Sequence, residues 1–183
     1  MGKMKDRSTH NTVDVKVGAF MRKWIVGTYG TDCIELDRSS NIWMIIKQNL
    51  ELTPEDYQPV EDWSEHISFI LLRDGSNTVM YRQPTVKNPK KYLRLNTLYR
   101  CSLSSKGENI IVRFLENQFR NTFHNYMRGA LNNGTGMTIA DAITEFLNDS
   151  RIEFDAKLLS RLTKDWYRFR LKNPDCFSVP IFF

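Results

Sequence analysis

The chain lacks every short signature that would announce an enzyme. There is no P-loop, no dinucleotide fingerprint, no nucleophile elbow and no HExxH pair in its 183 residues. Gly27-Thr28-Tyr29-Gly30 is too short for a phosphate loop and follows a helical pattern rather than a strand. Cysteine is scarce: Cys33, Cys101 and Cys176 are scattered and odd in number. That excludes a disulfide framework and points to free thiols in a reducing compartment. His10, His66 and His124 lie far apart, so no Cys/His set has zinc spacing. No apolar run approaches a membrane span. Met1 to Thr12 is polar and basic with no apolar stretch behind it, unlike a signal peptide. The opening Met-Gly lacks the Ser or Thr of a myristoylation site, because Asp6 stands there. The expectation is a non-enzymatic protein with no cofactor, no metal and no membrane partner.

What is present is enough for a core. The chain is 41% hydrophobic and 12% aromatic, which suits one domain or two small ones packed together. The formal net charge is +5, a modest hint of anionic partners. Its distribution says more. Glu51 to Glu65 holds six acidic residues and no basic one, and Gly75 to Gly107 holds seven basic residues and no acidic one. A uniformly solubilised surface would mix the signs.

The pattern predicts an α+β fold. After a polar arm over 1–12 comes an α+β part over 13–104, a helical part over 105–173 packed with it, and an apolar tail over 174–183. Val13, Val15 and Val17 alternate as in a short strand. Ala19 to Thr28 reads as a short helix closed by Gly30, and CIELD as a second strand. Ser40 or Asn41 caps a helix NIWMIIKQNLEL that runs until Pro54 stops it. His66 to Arg73 is a strand. The turn Asp74-Gly75-Ser76-Asn77 and a returning strand Thr78 to Arg82 make it a β-hairpin. Tyr92 to Leu103 alternates as a half-buried strand with a basic outer face, or as a looser extended connection. Ser104 or Ser105 caps a long helix to about Leu131, with Glu108 placed as the far half of a capping box. Thr138 with Asp141 starts the next helix, and Asp155 caps the last, which Pro174 ends.

That last helix sorts two chemistries onto two sides. At about 100° per residue, Lys157, Arg161, Lys164, Arg168 and Lys172 fall in one narrow stripe. Leu158, Leu159, Leu162, Trp166 and Phe169 take another face. Tyr167 sits beside the basic row as the exposed aromatic. The long helix carries a similar stripe of Arg113, Asn117, Arg120, His124 and Arg128. Such side chains suit phosphate oxygens, although any surface helix also needs a polar face. A further basic surface is Lys87, Lys90, Lys91, Arg94 and Arg100, which could follow a phosphate backbone or keep an edge strand from aggregating. The helices 138–148 and 155–172 have the spacing of a helix-turn-helix. The joining NDSRIEF is longer than the usual turn of about three or four residues. No Asn or Gln stands in the terminal stripe to read adenine.

Two other segments suit protein contacts. The acidic run Glu51–Glu65 reads as a solvated loop or as a contact for a basic surface of another copy. The tail Phe177–Phe183 either folds back on its own core or hooks a neighbouring subunit.

The segments VDVKVGAFMRKWIVGTYG, NLELTP, KKYLRLNTLYR and ADAITEFLNDSRIEFDAKLLSRLTKDWYRFR, in that order, resemble small uncharacterised proteins of phages and mobile elements of Bacteroides-type bacteria. The resemblance covers most of the chain and carries no catalytic residues across. It implies a phage or mobile-element setting, with DNA-associated roles, in the host cytoplasm or on the virion. The sequence reading is thus a DNA-binding (or RNA-binding) accessory or regulatory protein that contacts mainly phosphate. The alternative is a virion assembly protein that uses its segregated charges and apolar tail for subunit contacts.

Overall fold

Alternating valines decide which face of the first sheet is apolar, and the chain builds outward from it. The structure is a computed structural model and describes residues 12–53, 60–71, 79–82, 92–95, 101–132 and 136–174. The strand β1 (Thr12–Lys16) buries Val13 and Val15 and leaves Lys16 exposed. Gly18, at φ 81°, turns the chain into helix α1 (Ala19–Tyr29), which buries Met21, Trp24 and Ile25. Gly30 ends α1 in the left-handed region that glycine adopts without strain, its N–H donating to the Val26 carbonyl. After strand β2 (Cys33–Glu35), Ser40 caps helix α2 (Asn41–Gln48) by accepting from the Trp43 N–H.

The sequence pattern carries α2 on to Leu52, but the helix stops at Gln48. The Asn49 amide turns back to donate to the Ile45 carbonyl at 2.7 Å and closes the last turn. Leu50–Leu52 then forms strand β3, so NLEL leaves the helix for a sheet.

The strand β4 (His66–Ile70) is central, with Ile67 to Ile70 all buried. It pairs antiparallel with β1, Thr12 opposite Ile70 and Lys16 opposite His66, and parallel with β2, Cys33 opposite Ser68. Ser68 is the one buried polar residue among those described, and its hydroxyl donates to Asp14 Oδ1 at 2.8 Å across the β1 pair. The expected hairpin of this strand with 78–82 does not form, because β1 and β2 occupy both of its edges. Strand β5 (Val79–Arg82) pairs instead with β6 (Tyr92–Leu95), Val79 opposite Leu95. The single strand expected over 92–103 is likewise two: β7 (Cys101–Leu103) pairs with β3, in a different sheet from β6. The turn at 74–77 lies outside the described residues.

Helix α3 (Ser105–Asn132) starts at Ser104, whose Oγ accepts from the Gly107 N–H at 3.0 Å. Glu108 does not complete a capping box. Its Oε1 accepts the Lys16 N–H at 2.9 Å, fastening the helix start to β1. Helix α4 (Ile139–Asp149) does have the full box, Thr138 and Asp141 each bonding the other's backbone. Helix α5 (Ala156–Lys172) is capped by Asp155, which accepts from the Lys157 N–H.

The chain divides into two units, Met1–Glu116 and Asn117–Phe183, with α3 contributing to both. The second is helical. Phe119, Phe123 and Met127 of α3, Ile143, Phe146 and Leu147 of α4, and Leu162 and Trp166 of α5 form its core. The Phe146 ring lies 5.2 Å from Phe123 and 6.0 Å from Phe119, centroid to centroid. The architecture is α+β with a helical C-terminal half.

Candidate nucleic-acid interface

The connection between α4 and α5 sets how α5 is presented. Arg151 lies at φ 54°, the only non-glycine residue at positive φ among those described. Its N–H donates to the Asn148 carbonyl, and the Ile152 N–H donates to the Leu147 carbonyl at 2.8 Å. This is a Schellman closure, with buried Ile152 as its apolar seal. Normally glycine takes the left-handed position. Here an arginine holds it, and the chain turns directly into the Asp155 cap.

One face of α5 is fixed by packing. Trp166 is 0% exposed and Leu162 is buried, while Leu158, Leu159 and Phe169 are partly covered. On the other side, Lys157, Arg161, Lys164, Arg168 and Lys172 are all exposed, as the stripe geometry requires. The helix contains one carboxylate, Asp165, which borders the row at i+4 from Arg161. Its Oδ2 accepts from His124 Nε2 at 3.0 Å, and the His124 ring stacks on Phe169 at 4.0 Å with 19° between planes. The row positions themselves, 157, 161, 164, 168 and 172, are all cationic, and the one carboxylate at their edge is engaged by His124. Tyr167 is 50% exposed and Leu171 82%, both beside the row.

The stripe expected on α3 is placed differently along its length. Arg113, Asn117 and Arg120 are exposed. His124 is drawn into the contact with α5 just described, with 12% of its side chain exposed. Arg128 is half-buried, and its Nε has no hydrogen-bond partner among the described residues. Arg113 and Arg120 thus remain as surface cations, while the lower half of the stripe is packing. Arg94 stands on β6 opposite Met80. Lys87, Lys90, Lys91 and Arg100 lie outside the described residues, as do the tail 175–183, the arm 1–11 and residues 54–59 of the acidic run.

The structure adds a feature the sequence expectations lack. Asp141, Glu145 and Asp149 are exposed along α4 at i, i+4 and i+8, an acidic row on the helix packed next to α5. Its spacing in the sequence is the signal that carries it. These carboxylates act on their surroundings: the Tyr126 hydroxyl is pushed up to about 12 by burial, then by the charges of Glu145 and Asp149 and by its bond to Glu145. The helical unit therefore shows one acidic helix face and one basic one.

Among the described residues no three His, Cys, Asp or Glu side chains gather as a metal site would, and no helix is long and apolar enough to cross a membrane. No protein-family model matches the chain, and no curated protein and no solved structure is similar to it.

Proposed function

We propose that this is a non-enzymatic nucleic-acid-binding protein that grips the phosphate backbone with α5. The setting we propose is DNA-associated accessory or regulatory work in a phage or mobile element, in the host cytoplasm or on the virion. The observation that carries the reading is the exposed row Lys157, Arg161, Lys164, Arg168 and Lys172, with the helix's only carboxylate tied to His124. Such a row offers one cation per helical turn, and each phosphate it neutralises releases a counterion. Arg120, exposed on α3, adds to the same positive field.

The test is the salt dependence of binding to a fluorescently labelled oligonucleotide. Five phosphate contacts give a slope of log K against log salt of about −4.5 on duplex and about −3.5 on a single strand. Changing Lys157, Arg161, Lys164 and Arg168 together to Ser leaves about one contact and flattens the slope to near −1. An unchanged slope excludes this helix.

A second reading is supported by the acidic row of α4. Asp141, Glu145 and Asp149 of one copy could meet the α5 row of another, a head-to-tail contact suited to assembly. Sedimentation without nucleic acid separates the two readings. Self-association that disappears at high salt and on changing Asp141, Glu145 and Asp149 to Asn, Gln and Asn supports assembly; a monomer throughout excludes it.

A further inference from the structure

The second half of α5 carries more than charge. Lys164, Tyr167, Arg168 and Leu171 stand at i, i+3, i+4 and i+7, so they share one stripe, and all four are exposed. Tyr167 leaves half of its surface in solvent and Leu171 most of its own. An aromatic ring and an aliphatic chain alongside these two cations form an apolar floor at the edge of a phosphate-binding row. A phosphate backbone alone has no use for that floor, whereas a base face does.

The neighbouring helix decides which form of nucleic acid fits. In helix-turn-helix docking the second helix enters a major groove about 12 Å wide while the first crosses the backbone. Here the first helix would be α4, whose exposed face holds Asp141, Glu145 and Asp149. A duplex seated over α5 in that way would lay its backbone across a helix that carries three exposed carboxylates and no cation. The connection over 150–155 is also longer than the turn that geometry uses. A single strand laid along α5 meets neither obstacle, and its unpaired bases are free to stack.

Resting on the nucleic-acid reading above, we propose that α5 binds single-stranded nucleic acid, with Lys157, Arg161, Lys164 and Arg168 on the phosphates and Tyr167, flanked by Leu171, stacking on a base. The sugar can be deoxyribose or ribose, since phosphate and base face are common to both.

The experiment compares the full chain on labelled oligo(dT), oligo(U) and a duplex of equal length at fixed salt. The single strands should bind tighter than the duplex, and the better of the two identifies the sugar. Tyr167→Ala should weaken single-strand binding roughly 5- to 150-fold with the salt slope unchanged. Tyr167→Phe keeps the ring and should bind as the parent does. Tyr167→Ala should leave duplex binding unaltered. Steep salt-dependent binding with the duplex preferred, or with Tyr167→Ala silent, overturns the single-strand proposal and leaves the nucleic-acid reading standing. No binding to any probe at low salt overturns both. Because Tyr167 is half exposed, circular dichroism of the Ala variant should match the parent.

Discussion

Gly107 tests the junction between α2 and α3. It lies in the first turn of α3, where alanine is the better helix former by about 0.5–1 kcal/mol. On propensity alone Gly107→Ala would stabilise. The structure reverses that sign. A Cβ at this position would sit well inside van der Waals contact with the Asn49 Cβ, and close to the Ser104 Oγ that caps the helix. The Asn49 Cβ is the stem of its side chain, so it cannot swing aside as a flexible tip would. Overpacking of this kind costs roughly 1–3 kcal/mol; set against the propensity gain this leaves a net loss of roughly 0–2.5 kcal/mol, toward its upper end because the opposing atom is a side-chain stem. The backbone bond from the Ser104 N–H to the Asn49 carbonyl, 3.1 Å, is strained by the same displacement. Urea unfolding read by intrinsic fluorescence suits the question, since Trp24, Trp43 and Trp63 belong to the first unit and only Trp166 to the second. The midpoint should fall by roughly 0.5–1 M at unchanged slope. The decisive control is Asn49→Gly, which removes the opposing Cβ. Alone it loses the bond to Ile45, about 0.5–1.5 kcal/mol. Combined with Gly107→Ala, it should recover at least about 1 kcal/mol relative to the sum of the two single changes. Additivity within about 0.5 kcal/mol would refute the steric argument.

Three other outcomes follow from the helical unit. Arg151→Gly relieves a left-handed residue, worth about 1–2 kcal/mol, against about 0.4–1 kcal/mol of added freedom in the unfolded chain; calorimetry should show a small rise in melting temperature, and a fall would refute the Schellman assignment. Tyr126 ionises near 12 in the folded chain because burial and then Glu145 and Asp149 disfavour the phenolate. Its contribution is present below the unfolded value near 10 and lost as pH rises toward 12. Tyr126→Phe should therefore make stability less sensitive to pH over that window in an alkaline denaturation series, and an unchanged profile would show that Tyr126 is not the group responsible. Trp166→Ala empties the largest fully buried site of the unit and should cost about 3–5 kcal/mol by thermal unfolding. Trp166→Phe should cost clearly less; equal losses would mean that the site collapses around either side chain.

The parts legible in the sequence are those written in local chemistry. Thr138 with Asp141 marks the start of α4, and Asp155 that of α5, because a cap is satisfied within about three residues of itself. The α5 row is legible because periodicity fixes a helix face once the helix exists. The partners of β4 are not legible. A turn signal at 74–77 argues for a neighbouring strand, yet the edges of β4 go to segments far upstream, and no local residue records that choice. Nor does the α3 stripe say which of its members is covered. His124 looks like a phosphate donor until Asp165 and Phe169, some 41 and 45 positions later, close over it. The end of α2 is an intermediate case: NLEL continues an apolar pattern, and only the pairing of Leu50 with Leu103 turns it into a strand.

The register of β4 also governs the order in which the chain can fold. Its antiparallel partner begins 58 positions upstream, from Ile70 back to Thr12, and its parallel partner 35 positions upstream, from Ser68 to Cys33. Strand β3 likewise waits 53 positions, from Leu50 to Leu103, for β7. Each of these pairings must close a long loop, and such nonlocal closure is slow. The contacts between α4 and α5 span a connection of six residues and form quickly. During synthesis from the N-terminus, Val13 and Val15 therefore remain uncovered until Ile67 and Phe69 have emerged. The helical unit is made last yet needs the least waiting. In refolding from denaturant, where all segments start together, it should be structured before the sheet that precedes it.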